Sequence, residues 1–288
     1  MSAGWKPRFK RTLFALGSAP GLRPFRWWWL AAVGRFRATV VVYHRVSDEI
    51  RGEGQQLTVG VAEFRRHLEL YRRYFHVVPI AELLGVLRGG GRPAPWTLAI
   101  TFDDGYRDNY LQAAPLLRQH GLPACFFLSA GYVGTNRQFP WDIDDGVHAE
   151  TMSWMEARHL AEMGFEIGAH TVHHRDLGRA GADDLRLEIA PSRRILEDRL
   201  GQPVPYFSYP FGGPGNHSAA ARQCVMEAGF HCAFVAYGGP VRARDDLFLL
   251  PRIAISPYYD SPLSVRMELE AFFDWRAYLG MRAAEAGA

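Results

Sequence analysis

Two adjacent carboxylates, Asp103 and Asp104, close an apolar run and precede Gly105. The run 98–102 reads as a buried strand, and the Asp-Asp-Gly triplet as the turn at its C-terminal end. In alternating strand–helix folds, that end of the sheet is where loops carry chemistry. Two neighbouring acids there suit a division of work in which one holds a metal and the other moves a proton. The ordinary alternative is that Asp104 caps a helix beginning near Tyr106, a common use of aspartate. A second cluster, His170-Thr171-Val172-His173-His174, spaces histidines four apart, which share a face if the chain turns helically. Two histidines and one carboxylate make a ligand set common in catalytic zinc sites, with the fourth position left for water. The same set serves non-haem iron oxygenases, so the ligands alone leave the reaction open. His173 competes for the second place, since residues three apart can also share a face; the four-residue spacing favours His174.

The elements around these residues must bring them together. Segments 39–44, 76–79, 98–102, 124–128, 165–169, 205–209, 232–235 and 248–255 read as strands from their β-branched and aromatic content. Between them, 61–74, 80–87, 106–120, 153–163, 183–200 and 219–228 carry apolar residues at helical spacing. Ser153 and Glu156 suit a capping box, and Gly201 ends the predicted helix 183–200. Strand–helix alternation from Ala38 to Ile255 signals an α/β fold with a largely parallel sheet; about seven strands suit a distorted (β/α) barrel. Four strands end in polar or turn residues: Tyr43-His44, Phe102-Asp103-Asp104, Ala169-His170 and Tyr209-Pro210-Phe211-Gly212. In a parallel sheet those ends share one rim, so topology itself assembles the constellation.

Net charge is +3 but uneven. Residues 1–37 carry Lys6, Arg8, Lys10, Arg11, Arg23, Arg26, Arg35 and Arg37 and no acid, interleaved with Trp5, Phe9, Phe14, Phe25 and Trp27-Trp28-Trp29. Neither apolar stretch in this segment approaches the ~20 residues needed to cross a bilayer, and neither forms a clear secretory signal. The pattern suits a basic arm with peripheral contact to an anionic membrane, and no nucleic-acid motif accompanies it. A cytoplasmic position, or a peripheral one at the inner membrane, is the expectation. The odd set Cys125, Cys224 and Cys232 argues against a disulfide scaffold. The expected organisation is a basic segment 1–37, a catalytic domain 38–258 and a helical tail 259–288.

Thr101-Phe102-Asp103-Asp104-Gly105, His170-Thr171-Val172-His173-His174 and Tyr209-Pro210-Phe211-Gly212 together resemble the signature motifs of the polysaccharide deacetylase family (NodB homology, carbohydrate esterase family 4). Tyr43-His44-Arg45-Val46 and Leu250-Pro251-Arg252-Ile253 resemble the branch that includes poly-N-acetylglucosamine deacetylases. The resemblance implies a distorted (β/α) barrel of the NodB-homology type. It also implies a hydrolase of non-peptide carbon–nitrogen bonds that removes N-acyl groups, chiefly acetyl, from an amino-sugar glycan. The implied cofactor is one divalent metal ion, zinc first, with cobalt, nickel or ferrous iron as alternatives. Asp103 would be the general base, and Asp104, His170 and His174 the metal ligands.

The Phe211 N–H would face the oxyanion, with Tyr209 and Pro210 beside it at the substrate. Many relatives supply a general acid from a C-terminal Leu-x-His, which is absent from this sequence. His44 is the implied replacement, with His217 second. Many relatives also carry an arginine where this chain has Ser208; Arg252 from the last strand is the expected substitute partner for Asp103, and Arg45 the second choice. Trp141 and Asp142, on the predicted loop 132–151, could wall a sugar site. Rival readings are hydrolysis of a formamide or cyclic imide at the same metal, or a carbohydrate-binding relative without turnover.

Overall fold

Runs rich in valine, isoleucine, threonine and aromatic residues pair edge to edge and close on themselves in a computed structural model that describes residues 37–49, 56–94, 96–255, 265, 266 and 269. Residues 1–36 of the predicted basic segment 1–37, and nearly all of the predicted tail 259–288, lie outside the described residues. In chain order the first half runs β1 (Arg37–Tyr43), β2 (Arg45–Val46), β3 (Thr58–Val59), α1 (Val61–Tyr74), β4 (His76–Val77), α2 (Ile80–Arg88), β5 (Thr97–Phe102), α3 (Ala114–His120) and β6 (Cys125–Leu128). The second half runs α4 (Pro140–Asp144), α5 (Trp154–Glu162), β7 (Glu166–Ala169), α6 (Ala182–Glu188), α7 (Ala190–Leu200), β8 (Tyr206–Ser208), α8 (Ala219–Glu227), β9 (Cys232–Gly238), β10 (Val241–Arg242) and β11 (Leu250–Ala254). The described residues between 37 and 255 form one compact unit.

The pairings β1–β5–β6–β7–β8–β9–β11–β1 are all parallel and close a seven-stranded barrel, as the sequence predicts. Its distortion has a local origin. Along one edge, β1 pairs with antiparallel β10 at Arg37 and Ala38, then with β11 at Val41 and Val42. β5 likewise pairs with β4 at Thr97 and Leu98, then with β6 at Thr101 and Phe102. Partners are exchanged halfway, so the N-terminal end splays. α2 fills that end, packing Ile80, Leu83, Leu84 and Leu87 against interior residues such as Val40, Phe127, Tyr206 and Phe234. Glu166 from β7 caps this helix in trans, accepting the Ile80 N–H at 2.6 Å and the Ala81 N–H at 2.8 Å.

Two predicted helices differ from the structure, each beside a proline. The span 106–120 contains a π-helical turn, Asn109–Ala113, before α3, with Pro115 at the start of α3 offering no N–H to a regular ladder. The span 183–200 breaks at Ile189 (φ −90°, ψ −72°) into α6 and α7, with Pro191 in the first turn of α7. The Ser153–Glu156 capping box is formed in both directions, and Gly201 ends α7 in the left-handed conformation.

Candidate active site

Because the seven strands are parallel, their C-terminal ends gather at one rim, and each hands its motif over under ladder hydrogen bonds. The Asp103 N–H bonds Tyr43 O at 2.9 Å, the His170 N–H bonds Leu128 O at 2.9 Å and the Tyr209 N–H bonds Phe234 O at 3.0 Å. Beyond β5 the Gly105 N–H returns to Asp103 O at 3.0 Å, a three-residue turn with Asp104 at its centre in the left-handed region (φ 75°). Asp104 is therefore no helix cap. Its carboxylate is 1% exposed, and Oδ1 lies 3.2 Å from His174 Nε2 and 3.4 Å from His170 Nε2.

The two imidazoles converge without the expected helical turn. Thr171 (φ 60°) and His174 (φ 54°) are both left-handed, and they fold 170–174 tightly enough to set the His170 and His174 ring centroids 4.8 Å apart. Such conformations are costly for non-glycine residues and persist only where the surroundings enforce them. Here the Ala130 and Gly131 N–H groups hold Thr171 O and Val172 O at 3.0 and 2.8 Å. Gly131 is required at that approach, since a Cβ would lie 2.7 Å from Val172 O. On the other side Glu188 accepts the Val172 and His173 N–H groups at 3.1 and 2.7 Å and pairs with His173 Nδ1 at 2.8 Å. His173 is thereby turned away, which settles its competition with His174. Glu188, the last residue of α6 before the break at Ile189, is a supporting residue that sequence reasoning missed.

His170 Nδ1 bonds the Ser208 carbonyl at 2.8 Å, so Nδ1 carries the proton and Nε2 keeps its lone pair for the cluster. Asp104 Oδ1 is buried without a hydrogen-bond partner, and the three candidate ligand atoms lie within 4.8 Å of one another. A cation would answer that unpartnered oxygen. Ligand bonds of ~2.0–2.1 Å at tetrahedral angles separate donor atoms by about 3.3–3.4 Å, close to the spacings of Asp104 to both histidines. The donor set therefore fits a divalent metal.

Asp103 faces a different neighbour. Arg252 Nη1 donates to its Oδ1 at 2.8 Å and Nη2 to its Oδ2 at 2.6 Å, a bidentate pair. The guanidinium also donates to Ser208 Oγ (2.7 Å), Thr101 Oγ1 (3.1 Å) and Val235 O (3.2 Å), and stands over the rings of Phe127 and Phe234. Arg252 is 1% exposed. Ser208 Oγ donates to Asp103 Oδ2 at 3.1 Å, so one residue links this carboxylate to His170. From sequence, Ser208 registered only as a missing arginine. Burial alone would push the Asp103 carboxyl up, but Arg252 and His170 outweigh it and hold it below the usual aspartate value. Asp104, equally buried, is held well below that value by the His170 and His174 rings that face its Oδ1.

His44 lies within electrostatic reach of Asp104, Asp103, Arg252 and His170. Burial holds its imidazole below the ordinary value, against the upward pull of the two aspartates. Asn109 Nδ2 fixes its carbonyl at 2.7 Å. Arg45, the second choice for Asp103, pairs instead with Asp142. His217 bonds the Tyr237 hydroxyl at 2.9 Å and packs on Tyr209 rather than joining the cluster. The Tyr209 side chain, expected beside the substrate, alternates instead to the outer face of β8, is 0% exposed and packs on Phe207, so it has no surface to offer a substrate.

Pro210 is buried at the bend, and Phe211 (φ 61°) projects its ring, 53% exposed, at the mouth. Among the described residues none accepts a hydrogen bond from the Phe211 N–H. Trp141 sits on α4 instead of a loop, with its ring 4.7 Å from that of His174 and 6.0 Å from that of Phe211. Asp142 is fully buried and walls nothing.

A sequence profile described as Polysaccharide deacetylase matches residues 90–233, half of the chain and the half that contains both acid and histidine motifs. The chain belongs to the polysaccharide deacetylase family. Its members are hydrolases acting on the carbon–nitrogen bond of acetylated sugars. YxkH of Bacillus subtilis (strain 168), which is named for polysaccharide deacetylase, is 24% identical over 230 residues, 80% of this chain and 75% of the relative. Among solved structures, the fold is similar to that of Streptococcus pyogenes deacetylase PplD (TM-score 0.68, 20% identity, 81% of this chain and 98% of that one). It is also similar to IcaB from Ammonifex degensii (TM-score 0.66, 24% identity, 82% and 97%). The deacetylase barrel of this chain contains no helix, among the described residues, that is long and apolar enough to cross a membrane.

Proposed function

We propose that this protein removes the N-acetyl group from an amino sugar of a polysaccharide, oligosaccharide or lipid-linked glycan, using one divalent metal. The observation that carries the reading is the juxtaposition at one rim of two acids in opposite employments. Asp104 faces two histidines, and Asp103, its neighbour in sequence, is gripped by an arginine. Asp104, His170 and His174 would hold the ion, zinc by donor chemistry, with cobalt, nickel or ferrous iron as substitutes. When bound, the metal polarises the acyl carbonyl and makes a water easier to deprotonate.

The chain's own residues do the rest. Asp103, kept ionised by Arg252, takes a proton from the attacking water as its oxygen bonds the acyl carbon. The free Phe211 N–H is available to the developing oxyanion. The proton that Asp103 takes from water must reach the sugar nitrogen as the C–N bond breaks, because an amine leaves only when protonated, and His44, within electrostatic reach of both aspartates, is the group that passes it on. Acetate and a free amino sugar are the products. Phe211 and Trp141 form the aromatic sides of the cleft against which the sugar ring lies.

The test joins metal analysis to acetate release from N-acetylglucosamine oligomers and lipid-linked N-acetyl sugars. One bound divalent ion and stoichiometric acetate are expected. A protein that binds the ion, cleaves a formamide or cyclic imide and frees no acetate would replace this reading with another hydrolase; one that binds the oligomer with no turnover of any substrate would replace it with a binding protein.

A further inference from the structure

A second ion pair is buried at the same rim and takes no part in the chemistry above. Arg45, 1% exposed, follows His44 in sequence, and Asp142, 0% exposed, follows Trp141. Arg45 Nη1 bonds Asp142 Oδ1, Nε donates to Thr58 Oγ1 at 3.1 Å, and the guanidinium stands 5.3 Å over the Tyr106 ring. The other carboxylate oxygen accepts the Tyr106 hydroxyl at 2.8 Å. That same hydroxyl oxygen accepts Trp141 Nε1–H at 2.9 Å. Guanidinium, carboxylate, phenol and indole thus form one unbroken chain of hydrogen bonds.

An indole has a single N–H, so this bond fixes the rotation of the ring. Packing fixes the rest. One face of Trp141 stacks on Phe139 (4.6 Å, 10°), and Phe139 stacks on Tyr132 (4.1 Å, 17°). Trp141 is partly exposed and meets the His174 ring at 63° and the Phe211 ring at 73°. Removing two charges from water is expensive, and a pair that neither binds metal nor moves a proton has to justify that cost through what it positions.

We propose that Arg45, Asp142 and Tyr106 are positioning residues that lock the Trp141 indole as a rigid platform for a pyranose ring beside the metal cleft, and so govern affinity for the glycan rather than the chemical step. This rests on the amino-sugar reading, and it identifies the acceptor as a pyranose whose apolar C–H face lies flat on an aromatic ring. A pre-set platform spares the substrate the entropy of ordering it.

Tyr106→Phe tests the proposal, because it keeps the ring under Arg45 and deletes only the oxygen through which carboxylate and indole meet. With an N-acetylglucosamine oligomer, KM is expected to rise about tenfold with kcat within about threefold, the signature of lost uniform binding. With a small activated acetate ester that has no sugar ring, kcat/KM stays within about twofold. In a Trp141→Phe background, Tyr106→Phe adds less than about threefold, since its effect runs through the indole.

Equal losses on oligomer and ester, an unchanged KM, or a full additional loss without the indole would each overturn the proposal. If Tyr106→Phe does not fold, Asp142→Asn is read by the same three measurements. Calorimetric titration of the oligomer separates the two readings. Binding that depends on Tyr106 through Trp141 without acetate release overturns the deacetylase and retains the platform. Acetate release with KM and Kd indifferent to Tyr106 does the reverse.

Discussion

Arg252 meets Asp103 through both carboxylate oxygens, whereas Arg45 reaches Asp142 through one and leaves the other to a tyrosine. Both pairs are buried at one rim of one barrel. Their acids nevertheless titrate in opposite directions. Burial raises both, but for Asp103 the attraction of Arg252 and His170 wins, and its carboxyl falls below the usual value. For Asp142 burial wins over Arg45, helped by repulsion from Asp104, and its carboxyl rises. An arginine partner therefore does not by itself make an aspartate a strong anion; the surplus of positive charge around it does. One pair is built to keep a charge available, and the other to tie two segments together.

Substitutions that break each pair should separate these tasks. The largest effect is expected from Asp103→Asn, which should lower kcat by about a thousandfold, within the range of a lost general base, while metal stoichiometry is unchanged. Loss of the metal would mean that Asp103 and Asp104 exchange roles.

Arg252→Ala comes next. It leaves a buried carboxylate unpaired, so kcat/KM should fall about a hundredfold and unfolding free energy by about 3–5 kcal/mol. Its pH profile carries a sign. Asp103 is held low by Arg252, so the wild type retains its base, and that ion pair's stability, until pH falls through the depressed value; without Arg252 the carboxyl rises and the acid limb of kcat/KM moves to higher pH. A kcat/KM within about threefold of wild type, roughly 0.7 kcal/mol, would remove Arg252 from the site.

Arg45→Met should cost a similar ~3–5 kcal/mol in denaturant unfolding but fall on KM and spare kcat. A loss of kcat as large as that of Arg252→Ala would erase the distinction between the pairs.

The smallest effect concerns Asp108, beside Arg45, which burial pushes up to about 7 against the Val46 N–H bond and the pull of Arg45. A carboxyl raised on folding favours the native state below its unfolded value and loses that contribution as pH rises toward the folded one. Asp108→Asn should therefore flatten the decline in stability between pH 4 and pH 7 without altering either arginine pair. An identical pH slope in both proteins would exclude it as a titrating group.

Much of the site is legible in the chain because its parts are local. The apolar run ending in Asp103-Asp104-Gly105, the histidine cluster and the Ser153–Glu156 capping box all announce themselves within a few residues. Seven strands follow from β-branched runs, and their parallel order forces the motifs onto one rim. Arg252 was also reachable, since a base without its usual arginine needs another.

The partner choices were not legible, because nothing local encodes a bond between positions 97 residues apart, as for Arg45 and Asp142, or the outward turn of Tyr209. Nor does Thr171 advertise a left-handed backbone. A β-branched residue is a poor candidate for φ 60°, and only the clamps from Gly131 and Glu188, distant in sequence, impose it.

Among the described residues only Trp96, Asp104, Thr171, His174 and Phe211 combine a side chain with positive φ, and the last four belong to the site loops. Replacement by glycine at Thr171 or Phe211 would relieve that backbone, by the order of 1–3 kcal/mol that such conformations cost. A selection for heat resistance alone would thus be drawn to these positions and would loosen the cleft as it succeeded. The rim, where four of these five residues gather, is where durability and catalytic competence pull in opposite directions.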